Sequence, residues 1–148
     1  MYEYDCQITK VVDGDTVHAV ICVGFDILYK CTVRLYAIDT PESRTRDLDE
    51  KARGNISKYF LKDCIEFGKK VVIKTHLKDS RGKFGRVLGT IWVDGVNINQ
   101  ALVDNHLAVS YHGQNKSDVE AEHLINRQKL IDLKIFKPEE KQWNLKCH

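Results

Sequence analysis

No stretch of this sequence approaches the ~20 consecutive apolar residues that cross a membrane as a helix. The start, MYEYDCQITK, also lacks the basic-then-apolar pattern of a secretory signal. An intracellular, cytoplasmic protein is therefore expected. The five cysteines (6, 22, 31, 64 and 147) are odd in number and include no C-x-x-C. That excludes a disulfide framework and a zinc knuckle and leaves buried free thiols as the reading, with Cys22 and Cys31 able to face each other across neighbouring strands. The six histidines (18, 76, 106, 112, 123 and 148) form neither H-x-x-x-H nor H-E-x-x-H, and no catalytic role is assigned to His112. A large charge of one sign is also missing. The net charge is only +2, so any site for an anion must come from local clustering.

No linker, repeat or low-complexity stretch divides the 148 residues, of which 43% are hydrophobic and 30% charged. One globular domain spanning 1–148 is expected. A chain this long buries roughly 70% of its unfolded surface and folds without staples.

The first half alternates with period two. Val17, Ala19, Ile21 and Val23 share one strand face in 15–23, and Ile27, Tyr29, Cys31, Val33 and Leu35 share another in 27–35. Gly24 and Asp26 make a hairpin between them plausible. Further strands fit 70–75 and 86–93, the last closed by the Asp94-Gly95 turn pair. A helix over 48–67 places Leu48, Ala52, Ile56, Phe60, Cys64 and Phe67 on one stripe, with Gly68 as a left-handed stop. A second helix spans 97–107 and opens on asparagine caps. A third starts at the capping box Ser117-Asp118-Val119-Glu120 and runs to about 133. Strands first, then a helix between the third and fourth strands, predict an α+β, mainly β fold: a five-stranded OB-type barrel with three helices.

Three stretches carry chemistry. In Val12-Asp13-Gly14-Asp15-Thr16-Val17, Asp13 and Gly14 read as a turn, while Asp15 opens a strand. An EF-hand is excluded, because Val17 and His18 stand where a ligand and a glycine are required. In RLYAIDTPES (34–43), Arg34 and Asp39 are five residues apart, an odd separation that puts them on opposite faces of a straight strand. They converge only if the chain bends between them, and Pro41 fits such an exit. Pro41 also forces extended backbone at Thr40, which can aim its carbonyl outward. The third stretch, Lys78 to Arg86, combines cations with Gly82, Phe84 and Gly85, as a loop presenting Arg86 to an anion would.

Hard carboxylate oxygens suit Ca²⁺ or Mg²⁺ rather than a soft metal. Arginines beside such a metal suggest phosphate, since the guanidinium fork matches its oxygens. A remaining carboxylate can hold or deprotonate water. Phosphodiester hydrolysis needs that set.

At these residues the chain resembles the staphylococcal nuclease (thermonuclease) family. The motifs VVDGDTV, VRLYAIDTPE, KFGR, LGTIWVDG and NQALVDNHLA occur in order, and the resemblance spans about 5–136, leaving a polar tail over 137–148. It implies a Ca²⁺-dependent endonuclease acting on DNA and RNA, single-stranded or locally opened, that leaves 3′-phosphate ends; a monomer is expected. By the resemblance, Asp15 and Asp39 match calcium carboxylates, and Thr40 matches the residue that gives its carbonyl. Glu42 matches the acid acting on water, and Arg34 and Arg86 match the arginines on the scissile phosphate. Tyr111 and Lys83 resemble nucleotide-pocket residues. Phe84 stands where the family has a tyrosine and keeps an aromatic face for stacking. Phe136 stands near the usual tryptophan, as a core filler. The alternative is a non-catalytic nucleic-acid-binding OB module, disfavoured because all five reacting side chains are present. A plain single-strand binder would not gather Asp15, Asp39 and Glu42, since acids repel phosphate without a metal.

Overall fold

Period-two alternation builds the strands that carry the molecule. The computed structural model describes residues 2–76 and 86–138. In chain order the elements are β1 (Tyr2–Asp13), β2 (Thr16–Gly24), β3 (Ile27–Leu35), β4 (Ile38–Asp39), α1 (Leu48–Phe67) and β5 (Val71–Thr75). They are followed by β6 (Val87–Val93), β7 (Val96–Asn97), α2 (Ile98–Asp104), β8 (Val109–Ser110) and α3 (Lys116–Asp132).

The long first strand is shared. Tyr2–Asp5 pair with β5, and Cys6–Asp13 pair with β2. β2 pairs with β3 and β5 with β6, all antiparallel, and a parallel contact from Val33↔Val87 to Leu35↔Gly89 closes the ring. The result is the expected closed five-stranded barrel of OB type with three helices. β1 breaks register against β2 twice, between Ile8 and Lys10 and between Val11 and Asp13. Each break adds one unpaired residue, which bends the strand and increases the twist that closure needs. The second break sits directly beside Asp13.

Alternate residues point inward: Val17, Ala19 and Ile21 from β2, Val33 and Leu35 from β3, Ile73 from β5, and Val87, Ile91 and Val93 from β6. Leu61, Leu102, Leu130 and Phe136 cover the barrel from the helical side, so Phe136 does fill the core. Burying each such side chain stabilises the fold by about 1.5–3 kcal/mol. Among the described residues no helix is long and apolar enough to cross a membrane.

Both expected hairpin turns form. Phe25 and Asp26 have φ of 52° and 61°, and Asp94 and Gly95 have 50° and 81°, the left-handed pair of a two-residue type I′ loop. The first hairpin projects beyond the barrel, so every residue from Cys22 to Lys30 is exposed. Cys22 is therefore not buried, and it lies opposite Leu28 while Cys31 lies opposite Ala19, so the two thiols do not face each other. Cys6, Cys31 and Cys64 are part-buried and free, and burial pushes the Cys6 thiol up to about 12. Cys147 lies outside the described residues.

Four helix details differ from expectation. Leu48 and Phe67 are exposed, and the face of α1 that is buried is Arg53, Gly54, Ser57 and Leu61. Ala52, Ile56, Phe60 and Cys64 pack along its edge. The small residues win the central position because they let the helix approach backbone closely. Gly68 has extended backbone, φ −80° and ψ 151°, rather than a left-handed stop. Its lack of a side chain serves contact: a Cβ there would stand 2.1 Å from Val93 Cγ1. α2 ends at Asp104 rather than 107, and the chain reverses through His106 at φ 63°. α3 begins at Lys116, capped by Asn115, whose side chain accepts from the Asp118 amide, while Ser117 Oγ donates to Asn115 Oδ1. Asn caps a helix as well as Ser, and here it stands two positions earlier.

Candidate active site

Asp15 emerges from the turn between β1 and β2, and its carbonyl accepts the Leu35 amide at 2.8 Å, which ties that turn to the end of β3. Beyond Leu35 the chain leaves the barrel. Ala37 takes a left-handed φ of 62°, its carbonyl accepts the Tyr111 amide at 2.7 Å, and Ile38–Asp39 then pairs with β8. This is the bend that the odd Arg34–Asp39 separation requires. Arg34 Nη2 meets Asp39 Oδ1 at 3.3 Å, and Nη1 meets Asp15 Oδ2 at 3.2 Å. The Thr40 amide donates to the same Asp15 oxygen at 3.2 Å. Thr40 itself is buried.

Glu42 follows on a loop held at both ends. Ser43 Oγ donates to Asp13 Oδ1, and Arg44 Nη2 pairs with Asp13 Oδ2 at 3.1 Å. From below, Gly54 of α1 packs so closely that a Cβ would meet the Pro41 carbonyl oxygen at 2.6 Å and Glu42 carbonyl carbon at 2.7 Å. Glu42 stands at the mouth of the pocket. Partial burial of its carboxyl, and then the charges of Asp15, Asp13, Asp39 and Glu50, raise its pKa above the usual 4.5.

One pocket is lined by Asp13, Asp15, Arg34, Asp39, Glu42 and Arg86 together with Arg44. An adjoining pocket shares Arg34, Asp39, Glu42 and Arg86 and adds Thr40, Tyr111 and His123. The structure thus brings together seven of the nine residues singled out from the sequence. Lys83 and Phe84 lie outside the described residues. Asp13, read from the sequence as a turn residue, is instead the buried anchor of the Glu42 loop. His123 carried no signal in the sequence, yet its Nε2 lies 2.8 Å from Asp39 Oδ2 across 84 residues of chain. Among the described residues no three acidic, histidine or cysteine side chains form a ready-made metal cage. Four carboxylates, those of Asp13, Asp15, Asp39 and Glu42, line the first pocket.

Residues 32–130 match the family model described as Staphylococcal nuclease homologue. The chain belongs to this family. The match runs from β3 through most of α3 and takes in Arg34, Asp39, Thr40, Glu42, Arg86 and Tyr111; Asp13 and Asp15 precede it. The chain is also similar to three proteins of Bacillus subtilis (strain 168). It is 30% identical to "Endonuclease YhcR" over 74% of this chain and 9% of that protein. It is 30% identical to "SPbeta prophage-derived endonuclease YokF" over 70% of this chain and 33% of that protein. With "Endonuclease YncB" it shares 31% identity over 67% of this chain and 44% of the relative. The chain thus spans less than half the length of each of these relatives.

Proposed function

We propose that the chain is a Ca²⁺-dependent nuclease that hydrolyses phosphodiester bonds of DNA and RNA, single-stranded or locally opened, and leaves 3′-phosphate ends. The convergence of two arginines with Asp15, Asp39 and Glu42 on one pocket carries this reading. The endonuclease names of the relatives support it.

The donor set fits the metal. Asp15, Asp39 and the Thr40 backbone carbonyl are hard oxygen donors, few enough to leave most of a flexible Ca²⁺ shell to water and substrate. Burial raises the pKa of Glu42 most, and the nearby carboxylates of Asp15, Asp13, Asp39 and Glu50 add to that rise. A dication bound there would offset the mutual repulsion of these carboxylates. When bound it would supply neutralisation of charge growing on the phosphorane.

The chain's own residues do the rest. Arg34 and Arg86 grip the scissile phosphate through paired N–H donors and oppose its growing charge. Glu42 holds or deprotonates the attacking water, and a raised pKa makes it a better proton acceptor than an ordinary carboxylate. Tyr111, exposed at the adjoining pocket, offers a ring on which a base stacks, and Lys83 and Phe84 extend that grip.

Glu42→Gln tests the assignment, because it keeps the shape and removes the proton acceptor. Cleavage should fall by roughly 10²–10⁴, with fold and Ca²⁺ affinity retained. A folded, Ca²⁺-binding Glu42→Gln protein that cleaves DNA at the parent rate would refute it.

A further inference from the structure

We infer that His123 is a positioning residue that fixes the carboxylate of Asp39, an inference that rests on Asp39 being a metal ligand. His123 Nε2 stands 2.8 Å from Asp39 Oδ2, and its side chain is only 12% exposed. An ionised carboxylate can only accept, so Nε2 carries a proton and donates it to Asp39. Arg34 holds the other oxygen, Oδ1, at 3.3 Å. A carboxylate held by one partner pivots about that contact. Held through both oxygens, by β3 on one side and α3 on the other, it cannot.

The donor is itself rigidly placed. One turn further along α3, Asn126 Nδ2 donates to the Ala108 carbonyl at 3.1 Å, beside the strand that pairs with Asp39. Arg127 Nη2 then meets Asp49 Oδ2 on α1 at 2.9 Å. These contacts set the register of α3 against β8, and through it the place of the imidazole against Asp39. The need for such a brace is local. Asp39 ends a two-residue strand, and its side chain is 30% exposed. With Asp15 and Asp39 as the metal's carboxylate ligands, freedom in one of them weakens binding directly. Loss of a donor that orients a ligand typically costs 10–100-fold in metal affinity.

The test is Ca²⁺ affinity, measured by calorimetry on metal-free protein without nucleic acid, for the parent, His123→Leu, His123→Gln and Asp39→Asn. His123→Leu should weaken Ca²⁺ binding by about 10–100-fold while unfolding at close to the parent temperature. His123→Gln should recover affinity to within about threefold of the parent, because the Gln amide nitrogen reaches the place of Nε2 and donates there. Parent affinity in His123→Leu overturns the inference. So does a loss that Gln fails to rescue, which assigns His123 to packing alone. Parent affinity in Asp39→Asn overturns the metal-ligand reading itself. Loss in Asp39→Asn with none in His123→Leu leaves that reading standing and removes only His123.

Discussion

Arg34 sits between two carboxylates, and Arg86 lines the same pocket. On the proposed reading the fork of donors matters at both positions beyond the charge. Arg86→Lys keeps the cation and loses the paired geometry, so kcat should fall by a factor on the order of 10²–10³, the scale of one lost oxyanion donor. Steady-state kinetics on a DNA substrate reads this, and an unchanged kcat contradicts it. Glu42 makes a second, independent prediction. Its folded pKa is raised above 4.5, first by burial and then by its acidic neighbours. The fold therefore favours the neutral carboxyl, and the ionised form opposes folding. Stability contributed at this position falls as pH rises from 4.5 through the raised folded value. In chelator, Glu42→Gln should unfold at a higher temperature than the parent at neutral pH, and the difference should vanish below pH 4.5. Thermal unfolding across that range checks the sign.

Elements bring these residues together by close backbone approach, and glycine makes that possible. Gly54 lies mid-helix, where Ala is ordinarily favoured by up to about 1 kcal/mol. Here a Cβ would stand 2.6 Å from the Pro41 carbonyl oxygen and 2.7 Å from Glu42 backbone atoms, which cannot rotate away. Gly54→Ala should therefore destabilise by about 1–3 kcal/mol, the cost of overpacking, and should lower kcat by shifting Glu42. Urea unfolding and kinetics measure both, and a stabilised variant contradicts the packing. The same contact explains what the sequence did and did not disclose. Strands and hairpins were legible because alternation and turn chemistry are local. The stripe from Leu48 to Phe67 misplaced the face of α1, because approach to the 40–42 loop rewards small size over hydrophobicity. The cap of α3 moved to Asn115 because two adjacent segments offered caps of similar strength. Asp15, Arg34, Asp39, Thr40 and Glu42 were legible as motifs. Asp13 as anchor and His123 as brace depend on contacts made only once the chain is folded.

At the scale of the whole molecule, barrel closure is what assembles the pocket. The parallel β3–β6 pairing sets Arg34 opposite Leu88, two residues from Arg86, although the two arginines lie far apart in sequence. The β1–β2 turn supplies Asp15, the bend at Ala37 returns Asp39, and α3 closes the far side with His123. On the proposed reading the metal is held by Asp15, Asp39 and the Thr40 carbonyl, a donor set small enough to suit Ca²⁺ better than the near-ideal octahedron that Mg²⁺ requires. The most direct measurement is cleavage of end-labelled DNA and RNA by the purified protein with Ca²⁺, with Mg²⁺ and in excess chelator, with analysis of the product ends. The expected result is cleavage abolished by chelator, restored by Ca²⁺ more fully than by Mg²⁺, and leaving 3′-phosphate ends. Full cleavage in excess chelator would contradict the account.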